Sequence, residues 1–437
     1  MLAAPKQMPV RRCNFSFRRM CRNIVLVLAL SASLSPGPAA AQETLQFMAA
    51  GNNINIINLL QEELLPAFER EFGVRVEFSA VSWAERTDRL ALLVASGLTS
   101  DVIGTAYYSP HEEGAQGLFL PLGPYLEEWE YTDSIPAPLW LTQTWRGEVY
   151  VVPFEIDMRG YAYNKSVFAE AGYDPDSPPQ SWTELVEYAR RLTRLSPDQD
   201  AVEVRGIGLW GPAGEFMSFM HQAGTPPVDL ESFRSNFDRP AAVEAAEVWA
   251  ELLRASRYEL GGPNAGVAVG AVAMESTTPG SFAGYLDQVG GDLPTLSSEL
   301  GVFYPRKDRE SDPVALAFVN GLAIARTSKN PDLAWELIKY LMRDEVQQRI
   351  HETAGWMPPR VELASQFVTN PLLPAAYDAV QYLIAAQLPP PRNVSQNELD
   401  AWLYRVLRSE VPPEEAMLAV HDLWSRLLAE WGAAVSK

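Results

Sequence analysis

The chain has 437 residues and a net charge of −20, with 55 acidic residues against 35 basic ones. This acidic balance excludes nucleic acid and anionic membrane surfaces as main partners, because both are bound through basic patches. The two cysteines, Cys13 and Cys21, lie near the N-terminus. The rest of the chain therefore has no disulfide, thiolate metal site or cysteine nucleophile.

The first 41 residues are predicted to be a secretory signal peptide. Six basic residues and no acidic ones precede the apolar run 24–34, and small residues follow it up to Ala41. The apolar run is shorter than the roughly 20 residues that span a bilayer. Cleavage after Ala41 would change the net charge to −26, and we expect a periplasmic monomer. A retained anchor is the alternative.

The next segment alternates between strand-like and helix-like patterns. The predicted strands cover 44–49, 74–79 and 101–105, and the helices between them cover 57–72 and 85–95. Gly73 and Gly97 stand where these helices should end. Strands that alternate with helices are typical of a parallel sheet covered by helices.

The α/β pattern continues and gives way to helices. Ser181 and Glu184 form a capping box that begins a helix ending near Arg194. Asn330 as N-cap and Pro331 at the first helical position predict another helix start. The remaining predicted elements are strands over 206–210, 270–274 and 315–325, and helices over 240–256, 330–350 and 398–431.

Residues 150–168, YVVPFEIDMRGYAYNKSVF, place three charged side chains inside a strand-like run. Pro153 is predicted to end one strand, because proline has no amide hydrogen to donate to a ladder. Glu155, Asp157 and Arg159 follow before the pattern turns apolar again. Two acids at i and i+2 of an extended chain point the same way, which suits joint binding of one ligand.

Two neighbouring segments, GEVYVVPFEIDMRGYAYNKSVFAEAGYDP and SWTELVEYARRLT, carry a family resemblance. They resemble family 1 extracellular solute-binding proteins, the sugar-binding receptors of ABC importers related to maltose-binding protein. Further segments follow in the order typical of that family: LLPAFEREFGVRVEF, ASGLTSDVIGT, GLFLPL, AVAMESTTPG, VNGLAIARTSKNPDLAWELIKYLMRDEVQQR and AGWMPPR. Each motif alone is weak, and their order over most of the chain makes the match specific.

The resemblance implies a two-lobed α/β fold of the periplasmic-binding-protein type, with a ligand cleft between the lobes and a helical C-terminal part. It assigns 42–155 to the first part of the N-terminal lobe and 156–320 to the first part of the C-terminal lobe. Residues 321–437 would supply crossing segments and the helices that complete both lobes. The expected partners are a small molecule, above all a carbohydrate, and the permease subunits of an ABC transporter. No cofactor, metal or catalytic residue is expected.

The resemblance also implies candidate ligand contacts, led by Asp157, which matches a family carboxylate that binds sugar. Sugars stack their C–H faces on aromatic rings and offer hydroxyls to planar polar groups, and open α/β sheets bind ligands at strand ends. The candidates are Asn52, Asn53, Trp83, Glu85, Tyr107, Tyr108, Glu155, Asp157, Trp210, Glu275, Ser276, Thr277, Asn320, Trp356 and Arg360. The alternative for residues 155–159 is a solvated ion-pair cluster on a loop.

Enzyme motifs are weak in this sequence. The four histidines lack the spacing of a zinc site, and the one GxGxxG match, at 206–211, is followed at once by Pro212. Three alternatives stay open. They are a secreted glycoside hydrolase that uses Glu155 and Asp157, a receptor for a polyamine or polyol phosphate, and a scaffold that binds another protein.

Overall fold

The computed structural model describes residues 43–435 except 52, 99, 264, 290–292, 365–372 and 387. The predicted signal peptide and the candidate Asn52 lie outside the described residues. Within the described part of the chain, every helix is too short or too polar to cross a membrane.

The strands begin and end as follows. They are β1 Thr44–Ala50, β2 Arg75–Val81, β3 Val102–Thr105, β4 Thr144–Trp145, β5 Glu148–Val149, β6 Val152–Asn164, β7 Arg194–Leu195, β8 Val202–Gly208, β9 Val228–Asp229, β10 Arg234–Ser235, β11 Val272–Thr277, β12 Leu300–Phe303, β13 Ala315–Ile324 and β14 Leu383–Ala385.

The α-helices are distributed between and after these strands. They are α1 Ile54–Leu59, α2 Leu65–Phe72, α3 Arg86–Ala95, α4 Gly123–Leu126, α5 Ala137–Thr142, α6 Lys165–Glu170, α7 Trp182–Leu192, α8 Pro212–Gln222, α9 Pro240–Ala255, α10 Ser281–Val289, α11 Leu293–Glu299, α12 Pro331–Leu341, α13 Asp344–Ala354, α14 Val361–Ala364, α15 Leu373–Ala379, α16 Arg392–Leu407 and α17 Pro413–Val435.

One long sheet runs through the molecule in the order β2-β1-β3-β13-β6-β11-β8-β7, with β12 added to β6 and β14 to β13. β1 is parallel to β2 and β3, whereas β13 is antiparallel to β3 and β6. Strand β6 pairs with β13 over 152–159 and with β11 and β12 over 160–164. It is therefore the strand that both halves of the sheet share.

The side chains of β6 enter two separate hydrophobic cores. Phe154, Ile156 and Met158 lie in a core with β1, β3, α1, α2, α12 and α13, which we call the N-terminal lobe. Tyr161 and Tyr163 lie in a second core with α7, α8, α9, α16 and α17, the C-terminal lobe. The predicted two-lobed α/β class with C-terminal helices is confirmed, and the residue boundaries given to the lobes stay a prediction.

Several predicted element ends were wrong. β6 runs straight through Pro153, which lies opposite Gly321 beside an irregularity in the register of β13. Proline is tolerated at such bulges. The predicted helix 330–350 is two helices, α12 and α13, and the Asn330 side chain makes no cap bond at the start of α12. Gly73 ends α2 as predicted, in a left-handed conformation with φ of 70°.

Candidate ligand-binding site

A row of polar side chains lies on one face of β6, in the part that pairs with β13. Glu155, Asp157 and Arg159 alternate with the buried residues of the N-terminal lobe core, and each is partly exposed. Asn320 lies opposite Glu155 and Phe318 lies opposite Asp157, so all five side chains share this face. They are on a continuous strand, which makes the interpretation as a loop cluster wrong.

Asp157 and Arg159 form an ion pair of 3.1 Å, and each side chain is 28% exposed. Burial raises the pKa of Asp157, and the charge of Arg159 and its hydrogen bond partly offset this rise. Asp157 Oδ1 and Arg159 Nε are both buried without a hydrogen-bond partner among the described residues. The carboxylate oxygen thus keeps the capacity to accept a hydrogen bond, and the guanidinium nitrogen keeps the capacity to donate one.

Aromatic rings surround this ion pair. The Arg159 guanidinium lies 4.6 Å from the ring centroid of Trp210 and 4.9 Å from that of Phe318. Trp210 follows β8, is 39% exposed, and donates its backbone N–H to Ser276 Oγ over 3.3 Å. Tyr107 packs edge-on against Phe318 with centroids 4.8 Å apart. The polar row is thus framed by rings from both lobes.

Glu155 belongs to a hydrogen-bonded chain at the N-terminal lobe end of the row. Asn320 Nδ2 donates to Glu155 Oε2 over 3.1 Å, and the Tyr107 backbone N–H donates to Asn320 Oδ1 over 3.1 Å. Burial raises the pKa of Glu155 to about 7, with a smaller rise from the charge of Asp157, while the bond from Asn320 lowers it. This carboxyl group can therefore donate or accept a hydrogen bond near neutral pH.

Two openings adjoin the row. A small pocket at the carboxyl ends of β1 and β3 is lined by five predicted candidates, which are Asn53, Trp83, Glu155, Asn320 and Trp356. A larger opening of about 1580 Å³ is lined by Trp83, Tyr107 and Tyr108, together with residues of α16 and α17. Because Trp83 lines both, the two openings are neighbours.

Comparison with known proteins places the chain in a family. A family model described as bacterial extracellular solute-binding protein matches residues 53–348. The chain belongs to this family. The resemblance detected in the sequence motifs is thereby confirmed, and the family consists of binding proteins.

Two curated proteins are similar to this solute-binding protein in sequence. The mannitol-binding protein of Pseudomonas aeruginosa is 26% identical over 191 residues, and the alignment covers 43% of each chain. The chain thus spans less than half of that relative. The diacetylchitobiose binding protein DasA of Streptomyces coelicolor is 22% identical over 384 residues, which covers 84% of this chain and 86% of DasA.

Two solved structures show the same fold. The sugar-binding protein MalE of Xanthomonas citri has a TM-score of 0.76 at 20% identity, over 90% of this chain and 99% of that one. A solute-binding protein of an ABC transporter from Thermotoga lettingae, bound with α-D-tagatose, has a TM-score of 0.72 at 24% identity, over 89% and 100% of the two chains.

The structure of this solute-binding protein places some predicted candidates away from the row. Arg360 is buried in the N-terminal lobe, where its guanidinium lies over Tyr131 and donates to Ser134 Oγ over 3.1 Å. It also pairs with Asp344. Glu85 is exposed and accepts a hydrogen bond from Ser82 Oγ over 2.7 Å. Both side chains have structural partners, and neither lines the two openings beside the row.

The candidates on β11 also have internal partners. Ser276 is fully buried and donates its hydroxyl to Glu215, while Thr277 is bonded to the Tyr285 hydroxyl over 3.0 Å. Glu275 accepts from the Val267 backbone N–H over 3.0 Å. It lines a separate pocket of about 1240 Å³ that has Trp210 at its edge. Ser276 therefore supports the site indirectly, since it holds Trp210 in place.

Asn53 has a structural role as well as a place in the smaller pocket. Its Oδ1 accepts from the backbone N–H groups of Asn55 and Ile56, so it caps α1 while lining the smaller pocket.

Sequence reasoning missed two residues that border the row or its openings. Phe318 was not predicted, although its spacing from Asn320 on a predicted strand placed both on one face. Arg392 was not predicted either, because only the packing of α16 brings it to the cleft.

Proposed function

We propose that this protein is the periplasmic receptor of an ABC importer and that it binds a neutral sugar or short oligosaccharide between its lobes. The observation that carries the proposal is the row on β6, where Glu155 and Asp157 alternate on one face within a frame of aromatic rings. Planar polar groups beside aromatic faces are the chemistry that carbohydrate hydroxyls and C–H faces require.

The unpartnered atoms of the row specify what the ligand should offer. Asp157 Oδ1 needs a donor and Arg159 Nε needs an acceptor, and buried polar groups without partners are costly. Sugar hydroxyls can donate and accept hydrogen bonds without adding charge. Glu155 can adapt to a ligand donor or acceptor because burial raises its pKa to about 7.

Binding is proposed to proceed by closure of the lobes. Trp83, Glu155 and Tyr107 are placed by the N-terminal lobe, whereas Trp210 follows a strand of the C-terminal lobe. A ligand that contacts both sets binds more tightly to the closed state, and it therefore shifts the equilibrium between open and closed molecules towards the closed state. The closed form would then deliver the ligand to the permease. The predicted signal peptide supports a periplasmic location.

Other ligand classes fit the charges less well. The two arginines at the cleft, Arg159 and Arg392, are each paired with a carboxylate, Asp157 and Glu112. A phosphate would place its negative charge beside these carboxylates, which repel it. The names of the similar proteins, which bind mannitol and diacetylchitobiose, also support a neutral polyhydroxy ligand.

A thermal-shift screen of the purified exported protein tests the proposal. The panel contains monosaccharides, β- and α-linked disaccharides and trisaccharides, polyols, spermidine and glycerol phosphate. We expect at least one neutral carbohydrate or polyol to raise the Tm in proportion to the logarithm of its concentration. Stabilisation by spermidine or glycerol phosphate alone would contradict the proposal, and so would release of a hydrolysis product from a disaccharide.

A further inference from the structure

The last two helices belong to the C-terminal lobe by their buried faces. Leu399 and Leu403 of α16, and Trp424 and Leu428 of α17, are fully buried in the core that also contains α8 and α9. Any movement of the C-terminal lobe therefore carries these two helices with it. Their ends, however, reach beyond this core.

The first residue of α16 contacts the N-terminal lobe. Arg392 Nε lies 2.8 Å from Glu112 Oε1, and the two side chains are only 18% and 15% exposed. The same guanidinium covers the ring face of Tyr108. Tyr108 and Glu112 follow β3 of the N-terminal lobe, so this ion pair and stack join the two lobes at the edge of the larger opening.

The N-terminal lobe side of this contact is firmly anchored. Glu113, next to Glu112, accepts from both terminal nitrogens of Arg86 over 2.6 and 2.8 Å. Arg86 is fully buried and also donates through Nε to the Gly104 carbonyl at the end of β3. The segment that presents Glu112 to Arg392 is thus tied to the central sheet and cannot follow α16 without breaking these bonds.

The end of α17 makes a second contact between the lobes. The ring centroid of Trp431 lies 5.7 Å from that of Trp145 on β4, which packs in the N-terminal lobe. Trp431 also packs on Phe233 at 5.2 Å and lines the same opening as Arg392. Separation of the lobes on this side would break a polar contact and an apolar contact together.

We propose that Arg392 is a lobe-closing residue, whose contact with Glu112 and Tyr108 sets the fraction of molecules that are closed before any ligand binds. Its effect on ligand affinity rests on the proposed function, since the apparent affinity falls in proportion to the competent fraction. Its effect on the lobes of the empty protein does not. The guanidinium is suited to this role because it can pair with a carboxylate in its plane and stack on a ring by its face.

A distance measurement without ligand tests the proposal. Both native cysteines precede residue 42, so spin labels can be placed at cysteines introduced at Arg89 on α3 and Leu418 on α17, both exposed. Pulsed electron paramagnetic resonance then measures the distribution of distances between the two labels, one on each lobe. We expect Arg392→Ala to shift the distribution to longer distances by several ångströms, and Arg392→Lys to give an intermediate shift.

Arg405→Ala is the matched control. Arg405 lies on the same helix, over the ring of Trp402 at 4.0 Å, and near Glu410 at 3.8 Å. It has the same kind of contacts but within the C-terminal lobe, so its removal should leave the distance between the lobes unchanged. Glu112→Gln, which removes the partner charge, provides a second variant if Arg392→Ala fails to fold.

The outcomes separate this proposal from the proposed function. A distance distribution in Arg392→Ala or Glu112→Gln that matches the parent protein overturns the lobe-closing role, whatever the ligand is. If a carbohydrate is identified, we expect Arg392→Ala to raise its dissociation rate about three- to tenfold, since affinity changes of this kind occur mostly in koff. An unchanged dissociation rate would also count against the role, while an empty ligand screen leaves the distance result valid.

Discussion

The two halves of β6 have the same alternation and different surroundings. In the half that pairs with β13, Glu155, Asp157 and Arg159 point away from the N-terminal lobe core and are partly exposed. In the half that pairs with β11 and β12, Tyr161 and Tyr163 continue this alternation and are buried in the C-terminal lobe core. The comparison shows that the polar row lies on the part of the strand that neither hydrophobic core covers. Charged side chains can therefore be presented by a continuous strand as well as by a loop.

The largest effect should come from the buried half. Tyr161 is 3% exposed, stacks on Phe303, and donates its hydroxyl to the buried Glu215 over 2.5 Å. Tyr161→Ala should lower the free energy of unfolding by about 3–5 kcal/mol, as for other large aromatic deletions. Urea denaturation measures this. Tyr161→Phe, which removes only the hydroxyl, should cost less, and a loss below about 1 kcal/mol for the alanine variant would contradict the assignment to the core.

The exposed half should respond in affinity instead of stability. Asp157→Ala would leave ligand donors unpaired at a cost of about 1–3 kcal/mol, which lowers affinity by about five- to 150-fold. Titration calorimetry with the carbohydrate found in the screen measures this, beside a melting curve. Asp176→Ala is the control, because that acid pairs with Lys165 on the surface and is 75% exposed. Unchanged affinity with a lower Tm would make Asp157 a purely structural ion-pair partner.

A smaller loss of affinity should follow removal of the ring over Arg159. Trp210→Ala takes away one stacking face worth about 0.5–1.5 kcal/mol, so we expect a Kd increase of about two- to tenfold. Stability should hardly change, since Trp210 is 39% exposed. Trp402→Ala is the control, because it removes a ring on α16 that is also stacked with an arginine, Arg405. If both variants bind equally well, Trp210 is not a ligand platform.

The last effect is a pH dependence and concerns the protonation of Glu155. Its pKa in the folded protein is about 7, above its ordinary value of 4.5, because of burial. Between these two values the unfolded chain releases a proton that the folded protein keeps, so stability should fall as the pH rises from about 4.5 to 7 and then level off. Glu155→Gln should remove this part of the slope.

Melting curves between pH 4 and pH 8 check this prediction. The variant and the parent protein should agree near pH 4, where the carboxyl group is protonated in both states. At pH 8 the variant should melt higher by about 2 °C or more. Parallel curves over the whole range would mean that Glu155 is ionised in the folded protein without cost.

Much of the fold could be predicted because local patterns coincide with the elements. The helix stop at Gly73 follows from its left-handed φ of 70°, and Ser181 accepts the Glu184 N–H over 3.2 Å as the capping box requires. Pro153 misled the prediction, because its missing donor is tolerated beside a bulge whose partner, Gly321, lies far away in sequence. A long-range register cannot be read from a local pattern.

The positions of the candidate residues could be predicted where side chains follow strand periodicity, and could not be predicted where tertiary partners decide them. Asp157 and Glu155 could be placed on one face from their spacing alone. Ser276 and Arg360 carried suitable groups, but their partners Glu215 and Asp344 occupy them. These pairings depend on packing between segments that the sequence gives no means to align.

The position of β13 has a consequence for the order in which the protein is made. This strand lies between β3 and β6 in the sheet, although it is encoded about 150 residues after β6 ends. A ribosome releases the first two thirds of the polypeptide before the strand that joins β3 to β6 exists. The N-terminal lobe therefore cannot complete its sheet during early synthesis, and its folding must wait for a distant segment. Pairing between segments far apart in the sequence gives the lobe a high contact order, which makes its folding slow. The nascent chain stays incompletely folded, and so accessible to chaperones, until translation has passed residue 324.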